Sequence, residues 1–113
     1  MDRPTSTETT ALTPIARVLA EGERMRELLE DPGETRVSEP ILPLFLAALH
    51  LARGGPLVCV LPDDAQARDA AEGASWFLGE ERVGLFASRG VRWGSGLEPP
   101  PHLVGERARA LEV

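Results

Sequence analysis

Leu57-Val58-Cys59-Val60-Leu61 is the stretch on which the fold prediction depends most. It is a continuous apolar run, and turn-forming residues bound it on both sides: Gly54-Gly55-Pro56 before it and Pro62-Asp63-Asp64 after it. Such a run is typical of a central strand in a parallel sheet that is covered on both faces. We therefore expect a buried strand here, with a sheet built around it.

The neighbouring segments complete a small α/β unit. Residues 35–37 and 82–86 are further strand candidates. The helix predicted after Asp64 carries small apolar residues on one face, which allow a close approach to the sheet: Ala67, Ala70, Ala71, Ala74, Phe77 and Leu78. The order strand, helix, strand predicts a right-handed parallel crossover. The fold class is therefore α/β, a small parallel sheet of about three strands with flanking helices.

Two helices are expected before the central run. The first begins with Thr13 as N-cap and Pro14 at the first helical position, and Asp31-Pro32-Gly33 ends it. The second covers residues 41–53 and is apolar nearly all round. A helix of that pattern should be largely buried.

The two ends of the chain differ in character. Residues 1–11 are rich in Thr and Ser without periodicity, which predicts a disordered leader. Residues 102–113 have a helical pattern that stops without a cap, so we expect a fragment of something longer. Residues 12–113 then form a single α/β domain, with part of its sheet missing.

Composition excludes several classes of protein. One cysteine rules out a disulfide framework or a zinc site made of cysteines within the chain. No apolar run approaches about 18 residues, and the polar, acidic N-terminus is not a signal peptide. We therefore expect a cytoplasmic protein without a membrane partner. The formal net charge of -6 argues against a surface that grips nucleic acid as a whole, although a local basic patch stays possible.

Neither predicted junction between a strand and a helix suits a nucleotide. The first, residues 37–40, has no glycine and no lysine, and Glu39 and Pro40 lie where phosphate would need backbone N–H groups. The second carries Asp63 and Asp64, which could hold Mg²⁺. A helix cap with dipole stabilisation is the interpretation we favour for them. The chain itself is expected to bind no cofactor.

The residue types that serve as nucleophiles or metal ligands are isolated. Cys59 lies mid-strand, where a buried, unreactive cysteine is the usual case. His50 follows Leu49 in an apolar helix, and His102 begins the last helix without an evident third ligand. We expect no catalytic residue and no metal site.

Five residues are candidates for an interdomain or partner surface. Arg89, Arg92 and Trp93 lie in a glycine-rich loop, the one stretch that could stack on nucleic acid. The interpretation we prefer is a solvated loop with Trp93 folded back on the domain. Glu106 and Arg107 in the last helix could pair with charges on a neighbouring domain, or could belong to a solvated helix face.

Residues 55–111 resemble a known family. The segment Gly-Pro-Leu-Val-Cys-Val-Leu-Pro-Asp-Asp-Ala-Gln-Ala at 55–67, the alanine-rich helix ending in Trp-Phe-Leu at 76–78, the strand at 83–86 and the segment at 101–111 follow one another in a fairly specific order. That order resembles the N-terminal module of bacterial transcription-repair coupling factors. The family's usual loop core, similar to Leu-Pro-Tyr, is replaced here by Gly-Val-Arg-Trp at 90–93.

The resemblance implies a partial RecA-like domain, similar to the first domain of the excision-repair helicase (component B of that system) but lacking a phosphate loop. It also implies a parent that is an ATP-driven DNA translocase, which displaces stalled RNA polymerase and recruits excision-repair component A. ATP, Mg²⁺ and the contacts with DNA, the polymerase and the repair component would belong to that parent. This chain would be a non-catalytic N-terminal module whose direct partners are the parent's remaining domains.

Two other hypotheses stay open. A free-standing α/β enzyme or nucleotide binder would need a ligand pocket at the carboxyl ends of the strands, near residues 62–64 and 86–89. An independent interaction domain would instead dock a partner on the apolar stripe of the first helix.

Overall fold

The computed structural model describes residues 10–88 and 101–112. These residues form five α-helices: α1 (Thr13–Ala20), α2 (Glu23–Glu30), α3 (Leu42–Arg53), α4 (Asp64–Leu78) and α5 (Pro101–Ala110). Two 3₁₀ helices, Glu39–Ile41 and Glu80–Arg82, lie just before α3 and just after α4. No strand is present in either described range, so the predicted α/β fold with a parallel sheet is wrong.

Residues 56–61 run without helix, turn or bend, as expected of a strand, but they pair with no strand in the part of the chain that the structure describes. No described residue makes a backbone hydrogen bond with residues 57–61. Val58 and Val60 are 84% and 88% exposed, so a central strand covered on both faces is also wrong. The prediction of a partial RecA-like domain, which depends on such a sheet, is wrong for the same reason. An apolar run favours extended backbone, but a sheet further needs a neighbouring strand in register, and residues 35–37 and 82–86 do not provide one.

The helix predicted between Thr13 and Glu30 is divided in two. Gly22 has φ −73° and ψ 160°, which is extended backbone, and it separates α1 from α2. Pro14 lies in the first turn of α1, as predicted, but the N-cap residue is Leu12 and not Thr13. The Thr13 hydroxyl instead bonds the end of α4, because its side chain points into the protein.

The core lies where α1, α3 and α4 meet. Its buried members are Ala16, Ala47 and Leu78, and four partly buried side chains pack against them: Leu44, Leu51, Phe77 and Val83. In α3, Ala47 and Ala48 are fully buried, while the larger apolar side chains around them are half-buried. The prediction of a largely buried helix therefore holds for Ala47 and Ala48 and only in part for the leucines of α3.

Helix α4 is confirmed, but it packs on α3 rather than on a sheet. Ala70, Ala74 and Leu78 are buried on one face of it. The two helices approach each other very closely at Gly73. A Cβ added to this glycine would lie 2.6 Å from the Cβ and Cγ of Pro43. Small residues thus allow α4 to approach its neighbour closely, as the sequence indicated. That neighbour is α3 and not a sheet. Within the described residues, no helix has the length and apolarity needed to cross a bilayer.

Candidate functional site

The segment after the second 3₁₀ helix is held between the first turn of α4 and helix α5. Asp64 accepts two hydrogen bonds from Ser88, one from the backbone N–H at 2.9 Å and one from Oγ at 2.6 Å. Ala87 is fully buried. Arg107 donates from Nη1 to the Ala87 carbonyl at 2.6 Å, and its guanidinium carbon lies 4.1 Å from the centroid of the Phe86 ring. We name these five residues the α4–α5 junction.

Electrostatics at the junction favour a charged Asp64. The hydrogen bond from the Ser88 side chain lowers the pKa of this carboxyl below 3.8, and the Ser88 backbone N–H and the charge of Arg68 act in the same direction. A carboxylate with a lowered pKa is a weak base at neutral pH. Asp64 is therefore poorly suited to activate the Ser88 hydroxyl as a nucleophile.

Asp63 confirms the predicted helix cap. Its carboxylate accepts a hydrogen bond from the backbone N–H of Gln66 at 2.8 Å, which satisfies one of the free N–H groups in the first turn of α4. The neighbouring Asp64 carboxylate is bonded to Ser88 instead. In the part of the chain that the structure describes, no three His, Cys, Asp or Glu residues come together in a group that could hold a metal ion.

Cys59 lies on the surface, so the expected burial of this residue is wrong. Partial desolvation still raises the pKa of its thiol, which makes the nucleophilic thiolate scarcer at neutral pH. His50 is half-buried in the last turn of α3, and His102 is exposed in the first turn of α5. None of the three occupies the α4–α5 junction.

Arg107 is the one candidate surface residue whose side chain the structure describes. Arg89, Arg92 and Trp93 lie outside the described residues, and Glu106 belongs to α5. Arg107 is half-buried and is bonded within the chain, to the Ala87 carbonyl. The sequence pattern did not indicate this role, because helical periodicity says nothing about a carbonyl 20 residues earlier.

The α4–α5 junction also joins residues from two segments named in the nucleotide-binding hypothesis. That hypothesis requires a ligand pocket near residues 62–64 and 86–89, at the carboxyl ends of parallel strands. The structure places Asp64 and Ser88 in contact without any sheet in the described residues. These two residues bond each other directly, and the parallel sheet on which that hypothesis depends is contradicted.

A surface groove of about 640 Å³ lies between α4, the second 3₁₀ helix and the end of α5. Its charged lining consists of two arginines and four glutamates: Arg68, Arg109, Glu72, Glu80, Glu81 and Glu112. The excess of carboxylates disfavours a phosphate ligand. No residue of 62–64 or 86–88 lines this groove, so it is not the pocket that the nucleotide-binding hypothesis requires.

The α4–α5 junction and the groove are thus both formed by α4, α5 and residues close to the second 3₁₀ helix. No protein-family model, curated protein or solved structure matches this chain.

Proposed function

We propose that this chain is a non-catalytic interaction module, the N-terminal module of a transcription-repair coupling factor. Its parent would be an ATP-driven DNA translocase that displaces stalled RNA polymerase and recruits excision-repair component A. ATP, Mg²⁺ and DNA would be bound by other domains of that parent, and the direct partners of this chain would be those domains. We place the protein in the cytoplasm, where such a parent works.

The observation that carries the non-catalytic part is how the polar groups of the α4–α5 junction and of the neighbouring Asp63 are used. Asp63 caps α4, Asp64 is bonded twice to Ser88, and Arg107 is bonded to a backbone carbonyl. A catalytic site has to keep such groups aimed at a substrate. Here they join α4, α5 and the segment between them, which is the work of a structural module.

The start of α3 supports the absence of a nucleotide site. Glu39–Ile41 form a 3₁₀ helix, so an acidic side chain and Pro40 lie in the turn that leads into α3. Pro43 lies in the first turn of α3 itself. Proline has no N–H, and a carboxylate repels phosphate, so this helix start has fewer donors than a phosphate site and an acidic side chain beside them.

The resemblance at residues 55–111 supports the family part of the proposal. Asp64 lies near the beginning of this stretch and Arg107 near its end, and both hold the segment around Ala87. Side chains from near both ends of the resembling stretch thus bond to residues 87–88 within it. The proposal rests on the order of these segments, and a parallel sheet is no part of it.

Thermal unfolding with and without Mg²⁺-ATP tests the non-catalytic part. A ligand that binds only the folded state, at a hundredfold excess over its dissociation constant, adds about 2.7 kcal/mol of stability. We expect the same midpoint in both conditions. A midpoint that rises with Mg²⁺-ATP would contradict the proposal and would favour a nucleotide-binding protein.

Gel filtration with the motor domains of a coupling factor, produced as a separate chain, tests the family part. We expect the two chains to elute together. Reversing two charges of the candidate surface, Arg89→Glu with Arg92→Glu, should weaken the complex. The matched control, Arg24→Glu with Arg36→Glu, makes the same charge change at exposed positions elsewhere and should leave it intact. Separate elution of the two unmodified chains would overturn the assignment.

A second candidate function, a free-standing interaction domain, is favoured by one observation on α1. Ile15 and Val18 lie one helical turn apart and are 52% and 74% exposed, so part of the predicted apolar stripe faces solvent. Such a domain would bind its partner without any motor domain. Loss of that binding in Val18→Glu, with retained binding in Arg17→Glu, would identify α1 as the docking face.

A further inference from the structure

Residues 56–62 read Pro-Leu-Val-Cys-Val-Leu-Pro, which is the same sequence in both directions. In the structure this palindrome is extended from residue 56 to residue 61, and its apolar core makes no backbone hydrogen bond to any described residue. The side chains of Val58 and Val60 are almost fully exposed. An exposed, apolar and unpaired extended segment is a template for another strand, because its N–H and C=O groups are open to a partner.

The palindrome determines which partner fits best. When two copies run antiparallel about a two-fold axis at Cys59, Leu57 lies opposite Leu61 of the second copy and Val58 lies opposite Val60 of the second copy. A two-fold axis requires only that residue i contacts residue j of the partner while j contacts i. The palindrome adds that every opposed pair is alike, so that the exposed valines face valines and the leucines face leucines. A second copy of the chain therefore matches this edge in residue type and in length.

The prolines set the length of this pairing. Proline donates no backbone hydrogen bond, so Pro56 and Pro62 end the ladder symmetrically on both sides. Leu57 and Leu61 are half-buried against the chain's own body, while Val58 and Val60 are free to be covered. Pairing of the segment would therefore cover side chains that the chain itself leaves exposed.

We propose that residues 57–61 form a homodimerisation edge, on which two copies of this chain pair as antiparallel strands about a two-fold axis at Cys59. The interface is small compared with that of a permanent dimer. The dimer is therefore weak and reversible, and its population rises with protein concentration. This inference stands apart from the proposed function, since it needs neither the parent protein nor any of its domains.

A pair of charge variants tests the pairing and its direction. In Val58→Lys with Val60→Lys, like charges face each other across the two-fold axis in both pairs. In Val58→Lys with Val60→Glu, opposite charges face each other in both pairs, while the loss of apolar surface is similar. We expect a dissociation constant at least about tenfold weaker for the first variant than for the second, measured by sedimentation equilibrium. Thermal unfolding should show that both variants fold equally well, because both side chains are exposed.

The outcomes separate the alternatives. Parallel, in-register pairing would place like charges opposite each other in the Lys/Glu variant too, so equal weakening of both variants would overturn the antiparallel arrangement. A dimer that neither variant weakens would place the contact elsewhere and overturn the assignment to residues 57–61. An unmodified chain that stays monomeric up to millimolar concentration would overturn the proposal entirely.

Cys59 supplies a second readout. The two-fold axis brings the two thiols together, so mild oxidation with diamide should join them as a disulfide, with diamide taking up the two electrons and two protons released. We expect the covalent dimer in the unmodified chain and in the Lys/Glu variant, and a clear loss of it in the Lys/Lys variant. Equal yields in the two variants would mean random collision, and would contradict pairing at this edge.

Discussion

At the scale of single residues, the most informative side chain is Thr13. It is 1% exposed, and its hydroxyl donates a 2.6 Å hydrogen bond to the Phe77 carbonyl in the last turn of α4. Carbonyls at the end of a helix have no partner within the helix, so they need one from outside. Thr13 therefore joins the start of α1 to the end of α4, a role that its position before Pro14 did not reveal.

Replacing Thr13 by Val keeps the shape of the side chain and removes the hydroxyl. The Phe77 carbonyl then loses its partner in a half-buried site, so we expect a loss of about 1–3 kcal/mol in the free energy of unfolding. Thr13→Val also removes the acceptor of the Thr10 backbone N–H, which donates to Thr13 Oγ1 at 2.7 Å. Thr10→Val is the comparison, because it keeps that backbone bond and removes a hydroxyl that bonds the Trp76 carbonyl at a more exposed site. Thr10→Val should cost less, since water can replace the hydroxyl. Equal losses in urea denaturation would contradict this account.

Asp64 makes stability depend on pH. Its pKa is lowered in the folded protein, so its bonds with Ser88 stabilise the fold at neutral pH and are lost as the pH falls through that lowered value. The unfolding midpoint should therefore fall in acid, beginning at about pH 5. Asp64→Asn, which does not titrate, should show a shallower fall.

Ser88→Ala is the variant that checks the cause. It removes the side-chain hydrogen bond, the largest contribution to the lowered pKa, and leaves the backbone bond in place. Its midpoint should depend on pH less steeply than that of the unmodified chain and more steeply than that of Asp64→Asn. If all three curves have the same slope, the Asp64–Ser88 contact does not contribute to acid sensitivity.

At the scale of elements, the contact between α3 and α4 decides how tightly the helices pack. Alanine in place of glycine normally stabilises a helix interior by up to about 1 kcal/mol. At position 73 the added methyl group would lie 2.6 Å from the rigid ring of Pro43, and the helices would have to separate. We expect Gly73→Ala to destabilise the protein by about 1–3 kcal/mol.

Gly105 in α5 is the matched control. A Cβ at this position meets no atom within 4 Å, so Gly105→Ala should show the ordinary gain in helix stability. Opposite signs for the two variants in thermal unfolding are the expected result. A stabilising Gly73→Ala would mean that α3 and α4 do not approach each other as closely as described.

The helices were largely predictable from the sequence because their signals are local. A carboxylate at position 63 caps α4, alanines line its buried face, and Pro14 lies in the first turn of α1. The break at Gly22 was missed, since a glycine within an apolar periodicity is compatible with a continuous helix. The close approach at Gly73 was missed too, because it depends on Pro43 in another element.

At the scale of the whole molecule, the sheet was the main error. Residues 57–61 have the composition of a buried strand, but pairing is a relation between distant segments and leaves no mark within one of them. At the candidate site, too, local features could be predicted and distant contacts could not. The cap at Asp63 was predictable from the neighbouring residues. The contacts of Asp64 with Ser88 and of Arg107 with Ala87 were not, because they join residues 24 and 20 positions apart.

Amide hydrogen exchange of residues 57–61 in dilute solution tests most directly the claim that this segment is unpaired on a helical body. An amide without a hydrogen-bonded partner exchanges quickly, while amides inside α3 and α4 are protected by their helical bonds. We predict fast exchange at Leu57 to Leu61, far above the rate of the amides of Ala47 and Ala74 at the core. Protection of residues 57–61 at the level of those two helices, in protein too dilute to dimerise, would mean that they belong to a sheet and would contradict the account.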